Sequence, residues 1–151
     1  MSSDLDEFVQ NAQARILEEA RQLYSETVIA HWMRPRNFKK MERCDGHARI
    51  TGPCGDSMEF FLRIRDGRIW EMSFLTDGCA TSIASASMTV EMATGLSVNR
   101  ADEIRQETIL QQLGGLPAES EHCALLAANT FAAAINEHLK TAAQPWKRLY
   151  R

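Results

Sequence analysis

With 151 residues, 44% of them hydrophobic, the chain has the length of one ordinary domain and enough apolar side chain to fill a core without crosslinks. Its formal charge of -3 and pI near 5.8 leave no positive field to draw it to nucleic acid or an anionic membrane. No apolar stretch approaches the roughly 20 residues that span a bilayer, and Asp4, Asp6 and Glu7 stand where a targeting peptide would be basic, so a cytoplasmic location is expected.

Along the chain, Leu5, Phe8, Val9, Ala12, Ile16, Ala20, Leu23 and Tyr24 recur at helical intervals with Glu18, Glu19 and Arg21 between them. This spacing predicts one amphipathic helix over 5–33, ending before Pro35 because the residue preceding a proline is pushed out of helical geometry. Arg34-Pro35-Arg36-Asn37 follows as a connector. From 47 to 76 the period becomes two. Met58, Phe60, Leu62 and Ile64 alternate with charged residues, and after Asp66-Gly67 come Trp70, Met72 and Phe74, the pattern of a hairpin. A further strand over 47–51 completes a three-stranded antiparallel sheet with one face toward helices. Helices are expected over about 80–93, in short pieces near 99–113, and over about 120–141, with breaks at Gly95 and Gly114-Gly115. Met88 and Met92 read as core. Strands first and helices afterwards make this an α+β fold.

Four cysteines occur, at 44, 54, 79 and 123. In a reducing compartment spaced cysteines bind metal or react more often than they crosslink, although no Cys-x-x-Cys pair is present. Three of them sit at the edges of predicted elements. Cys54 lies in Gly52-Pro53-Cys54-Gly55-Asp56, Cys79 follows Gly78 at a helix start, and Cys123 follows His122 in the opening turns of the last helix. A helix N-terminus favours thiolate over thiol, so Cys79 and Cys123 are both expected to have lowered pKa values. Soft thiolates suit iron–sulfur clusters. Three leave one position open, which Asp56 or His122 would complete with a harder, more easily displaced donor, and such an incomplete set suits a cluster that must leave.

The segments 52–56 (Gly-Pro-Cys-Gly-Asp), 77–87 (Asp-Gly-Cys-Ala-Thr-Ser-Ile-Ala-Ser-Ala-Ser) and 122–127 (His-Cys-Ala-Leu-Leu-Ala) strongly resemble the three cysteine motifs of the IscU and NifU N-terminal scaffold family, in the same order and at fitting intervals. Tyr24-Ser25-Glu26 through His31 to Arg34-Pro35-Arg36-Asn37 is similar to that family's opening segment. The resemblance covers about residues 24–142. It implies one domain with a helical extension over 1–23, a scaffold core over 24–142 and a tail over 143–151. It also implies a non-enzymatic scaffold for iron–sulfur cluster assembly, which takes persulfide sulfur from a cysteine desulfurase, with Cys123 as main receiver, and passes the transient cluster to apo-protein acceptors. The cluster is usually [2Fe-2S]. Cys54, Asp56, Cys79, His122 and Cys123 would bind iron or share the cluster, and zinc would occupy the same site when iron is missing.

A homodimer is compatible with this reading, with Tyr24 a candidate for self-association. Two departures from the family pattern stand out. Chaperone-dependent members carry Leu-Pro-Pro-Val-Lys where this chain has Leu116-Pro117-Ala118-Glu119-Ser120, which weighs against an Hsp70-type chaperone partner. About twenty extra residues precede Tyr24. No large insertion separates Cys79 from Cys123, unlike the zinc-dependent SufU branch. The competing functions are a zinc-binding sulfur-transfer protein that activates a desulfurase, and a stable ferredoxin. Cys44 matches no family cysteine and reads as a bystander, and His31, His47 and His138 read as surface or packing residues.

Overall fold

A computed structural model of the chain describes residues 2–143. The expected tail over 143–151 therefore lies, beyond its first residue, outside the described residues. Two helices open the chain, α1 (Ser2–Leu23) and α2 (Glu26–Met33). Three strands follow, β1 (Gly46–Thr51), β2 (Ser57–Arg65) and β3 (Arg68–Thr76), and then helices α3 (Ala80–Ala93), α4 (Gln106–Leu113) and α5 (Glu121–Ala143). Short 3-10 turns cover Val98–Glu103 and Ala118–Ser120. Among the described residues no helix is long and apolar enough to cross a membrane.

The sheet is antiparallel in the order β1-β2-β3. Its hairpin turns at Asp66-Gly67, where both residues have positive φ, the geometry of a tight two-residue connection that matches strand twist. The register sets Phe60 opposite Phe74 and Leu62 opposite Met72, so that these four and Met58 share one fully buried face. Against that face lie the apolar sides of α3 and α5, including Ala84, Met88, Ala124, Ala127 and Phe131. Met92 is partly buried against the same core. Alternation is not strict, because Phe61 on the opposite face is also buried and stacks on the His47 ring at 4.9 Å.

The structure divides the expected helix 5–33 in two. Ser25 is extended, its Oγ accepts from the Val28 backbone N–H at 3.1 Å, and the same hydroxyl donates to the Leu113 carbonyl. A capping serine held by a carbonyl 88 residues away ends one helix and starts the next. The apolar stripe of the first half faces outward. Leu5, Phe8, Val9, Ile16 and Leu23 are exposed, and only Ala20 of that stripe is buried.

As expected, α2 stops at Met33, before Pro35. The connector then docks on β3. Asn37 accepts from the Phe74 N–H at 3.1 Å and donates to the Met72 carbonyl at 2.9 Å, while Phe38 stacks on Phe74 with centroids 4.7 Å apart. A buried clasp joins α2 to α3. Ser87 Oγ accepts from the Arg36 N–H at 2.8 Å and shares a hydrogen bond with His31 Nδ1 at 2.7 Å, and His31 Nε2 lies 3.0 Å from a Glu91 carboxylate oxygen. His31 is thus a buried packing residue.

Candidate functional site

Cys54, Cys79 and Cys123 come from three separate parts of the fold that meet at one end. Cys54 stands in the β1–β2 turn, where Gly55 adopts φ +90° and Gly52 accepts from its N–H at 3.0 Å. Cys79 is the residue from which α3 starts. Cys123 lies in the first turn of α5, and Glu121 and His122 precede it in the same turn.

Short contacts tie the three loops together. His122 Nε2 lies 3.3 Å from Cys54 Sγ and 3.8 Å from Cys123 Sγ. Thr81 Oγ1 lies 3.1 Å from Cys79 Sγ and 3.3 Å from Cys123 Sγ. Ser82 Oγ lies 3.4 Å from both Cys123 Sγ and Asp56 Oδ2, and its one proton serves either acceptor. All five residues singled out from the sequence, Cys54, Asp56, Cys79, His122 and Cys123, therefore belong to one connected cluster. Among the described residues no group of three or more histidine, cysteine, aspartate or glutamate side chains is set to hold a metal ion. The donors are linked in pairs and through hydroxyls instead.

Thr81 and Ser82 were not given roles by the sequence reasoning. Their signal was present in the second and third positions after Cys79. In the first turn of a helix those side chains sit beside the residue that starts it, where backbone N–H groups are also unpaired. Gly78 has a matching requirement. A Cβ there would fall 2.5 Å from Ser82 Oγ and 3.1 Å from Asp56 Oδ2, so the close approach of these loops depends on its absence.

The two helix-start thiols do not ionise alike. For Cys79, burial is the largest single influence and opposes ionisation. The Thr81 hydroxyl, the backbone of Ser82 and Thr81, and the Ser82 hydroxyl together outweigh it and hold the pKa below the ordinary thiol value. For Cys123, burial again comes first and here it prevails. Ser82 and Thr81 oppose it, nearby Cys79 and Asp56 add negative charge, and the pKa is raised. The expectation of a lowered value at Cys123 is corrected accordingly. With 1% of its surface exposed, this residue faces the interior of the cluster, where desolvation overrides the helix end.

Cys44 stands apart. It immediately precedes Asp45 and β1, at the opposite end of that strand from Cys54. The Asp45 carbonyl contacts His138 Nδ1 at 3.3 Å, which lies about 22 Å along α5 from Cys123 at the helical rise per residue.

A three-stranded sheet backed by helices, with three thiols, a carboxylate and an imidazole brought together at one end, defines a class of small α+β proteins with a mixed, soft-dominated donor cluster. Residues 23–144 match the family model described as the NifU-like N terminal domain, and the chain belongs to that family. It is 39% identical over 119 residues to the iron-sulfur cluster assembly scaffold protein IscU 1 of Archaeoglobus fulgidus, a match covering 78% of each chain. It is 34% identical over 119 residues to the IscU scaffold protein of Aquifex aeolicus, covering 77% of this chain and 76% of that one. Its fold is similar to the crystal structure of a NifU-like N-terminal protein from Brucella abortus, with a TM-score of 0.64 at 17% identity over 78% of this chain and 95% of that one.

Proposed function

We propose that this protein is a scaffold for iron–sulfur cluster assembly, working in the cytoplasm, with iron and sulfur as cargo rather than as a resident cofactor. Residues 24–142 form the assembly unit in this reading and residues 1–23 a helical extension. The observation that carries it is the convergence of Cys54, Cys79 and Cys123 with Asp56 and His122 at one end of the fold. Kinship to relatives named as IscU scaffold proteins supports it further.

The donor set fits such a cargo. Thiolates match the iron of a sulfide core, and a carboxylate or imidazole in the remaining position binds iron less firmly and exchanges more readily. A [2Fe-2S] cluster is the form this set suits, and zinc would take the same donors when iron is missing. Cys123 receives sulfur from a cysteine desulfurase. Its thiolate attacks the outer sulfur of the enzyme's persulfide, a new S–S bond forms on Cys123, the old S–S bond breaks, and the desulfurase cysteine leaves as thiolate. Taking that sulfur down to sulfide consumes two electrons, supplied by two external thiols that leave as a disulfide or by two equivalents of a one-electron donor. Thr81 and Ser82 position the sulfurs of Cys79 and Cys123 through their hydroxyls, and an apo iron–sulfur protein accepts the finished cluster.

The test is anaerobic assembly with a cysteine desulfurase, cysteine, ferrous iron and a thiol reductant, followed by addition of an apo-ferredoxin. Visible absorption that grows on this protein and then moves to the ferredoxin is the expected result. Colourless protein that retains zinc and only stimulates the desulfurase would replace this reading with metal-ordered sulfur relay. A cluster that stays put in the presence of the acceptor would make it an electron carrier.

A further inference from the structure

Of ten exposed large hydrophobic side chains among the described residues, five are on α1 and a sixth, Met33, ends the adjoining helix α2. The five are not scattered. At 100° per residue Leu5, Ala12, Ile16 and Leu23 fall within about 40° of one another, with Phe8 and Val9 on either side. A continuous apolar stripe therefore runs most of the length of a 22-residue helix. The principal contact of α1 with the rest of the protein is with α2 and involves its second half, with Ala20 buried and Leu17 half-buried. Phe8 is 69% exposed and Ile16 55%.

The charges on this helix say what covers the stripe. They comprise five acidic residues and two arginines, the reverse of the basic polar face by which a surface helix holds an anionic membrane. They are also unevenly placed. Asp4, Asp6 and Glu7 crowd the first two turns, while Arg15 and Arg21 balance Glu18 and Glu19 in the second half. Two copies side by side in parallel would press both acidic ends together. Two copies antiparallel set each acidic end against the balanced half of the other.

The shape of the surface fixes the register. Gln13, Ile16 and Leu17 of α1 and Trp32 and Met33 of α2 line a groove of about 380 Å³. An antiparallel pair crossing at Ala12 brings Phe8 of one copy opposite Ile16 of the other, at the mouth of that groove, and the small Ala12 side chains let the helices approach closely. We propose that α1 is a dimerisation helix, pairing antiparallel about Ala12 with α1 of a second copy and seating Phe8 in the groove between that copy's α1 and α2. The contact is its own mirror under a two-fold axis, as closed dimers require. It is independent of the cluster-assembly reading and uses none of its residues.

The experiment is sedimentation equilibrium of the full chain over micromolar concentrations, with Phe8→Glu, Ile16→Glu and, as a control on the exposed surface of α5, Leu139→Glu. Far-UV circular dichroism confirms that each variant keeps its helices. The wild type and Leu139→Glu are expected to be dimers, and each α1 variant to weaken the dimer by roughly tenfold or more, the scale of losing one buried aromatic or aliphatic anchor. Oxidised Ala12→Cys should then form an interchain disulfide well above the wild-type background, and Leu5→Cys should not, because only position 12 meets its own symmetry mate. A monomer at every concentration would overturn the proposal, as would a dimer indifferent to both α1 variants. Crosslinking at both positions would mean a parallel pair. A monomer that co-sediments with phosphatidylglycerol vesicles through Phe8 would assign the stripe to lipid instead.

Discussion

Cys79 and Cys123 share one hydroxyl: Thr81 Oγ1 lies 3.1 Å from the first sulfur and 3.3 Å from the second. A hydroxyl has a single proton, so Thr81 stabilises one thiolate at a time, and the sulfur it serves is the one that ionises more easily. Replacing Thr81 by valine keeps the volume and removes the proton. In metal-free protein, Thr81→Val should slow alkylation of Cys79 by iodoacetamide near neutral pH several-fold, because its pKa returns toward the ordinary thiol value. Peptide mapping by mass spectrometry reads the rate, and an unchanged rate would leave the lowering to the backbone of Ser82 and Thr81.

The opposite shifts of these two thiols predict a pH ordering. Cys79 is held below the usual thiol pKa and Cys123 above it. As pH rises through the neutral and mildly alkaline range, Cys79 gains reactivity first, and Cys123 follows only above the ordinary thiol pKa. Sulfur capture by Cys123 in metal-free protein should therefore accelerate with pH past the point where Cys79 has levelled off. Rates of single-cysteine modification across that range check it, and a Cys123 profile that levels off first would reverse the assignment.

Asp56 joins the cluster through Ser82, its Oδ2 3.4 Å from Ser82 Oγ. As the hard donor among soft ones it is the group whose removal should slow departure of the cargo. Asp56→Ala is expected to lengthen the lifetime of an assembled cluster several-fold toward a chelator or an apo-ferredoxin, followed by visible absorption. Faster loss would mean that the carboxylate supports the cluster.

Away from the site, Ser87→Ala removes the centre of the clasp between α2 and α3. It leaves the Arg36 N–H and His31 Nδ1 without their partner at a position where Ser87 is fully buried. Unsatisfied buried groups cost about 1–3 kcal/mol. The urea midpoint should fall accordingly, with little change in slope. A midpoint equal to wild type would show that water or rearrangement replaces the hydroxyl.

Much of this architecture is legible along the chain because its signals are local. Asp66-Gly67 between two alternating runs marks the hairpin, Pro35 marks the end of α2, and Gly114 and Gly115, both at positive φ, mark the end of α4. What escapes local reading depends on contacts between distant segments. The break at Ser25 needs the Leu113 carbonyl, supplied from the far side of the sequence. The apolar stripe of α1 has helical period whether or not anything in the same chain covers it, so period alone shows an amphipathic helix and not what its apolar side meets. The grouping of Cys54, Cys79 and Cys123 was anticipated through their motifs, yet the burial that raises the Cys123 pKa is a property of the assembled loops. Thr81 and Ser82 were in plain view as residues, but their role appears only once α5 brings Cys123 beside them.

The central claim is that Cys54, Cys79 and Cys123 act together on one cargo and Cys44 does not. Iron and acid-labile sulfide retained after anaerobic assembly and gel filtration test it most directly, in wild type and in Cys44→Ser, Cys54→Ser, Cys79→Ser and Cys123→Ser. Wild type and Cys44→Ser should hold equal iron and sulfide, and each of the other three should lose most of both. Full retention by any of those three, or loss by Cys44→Ser alone, would contradict the account.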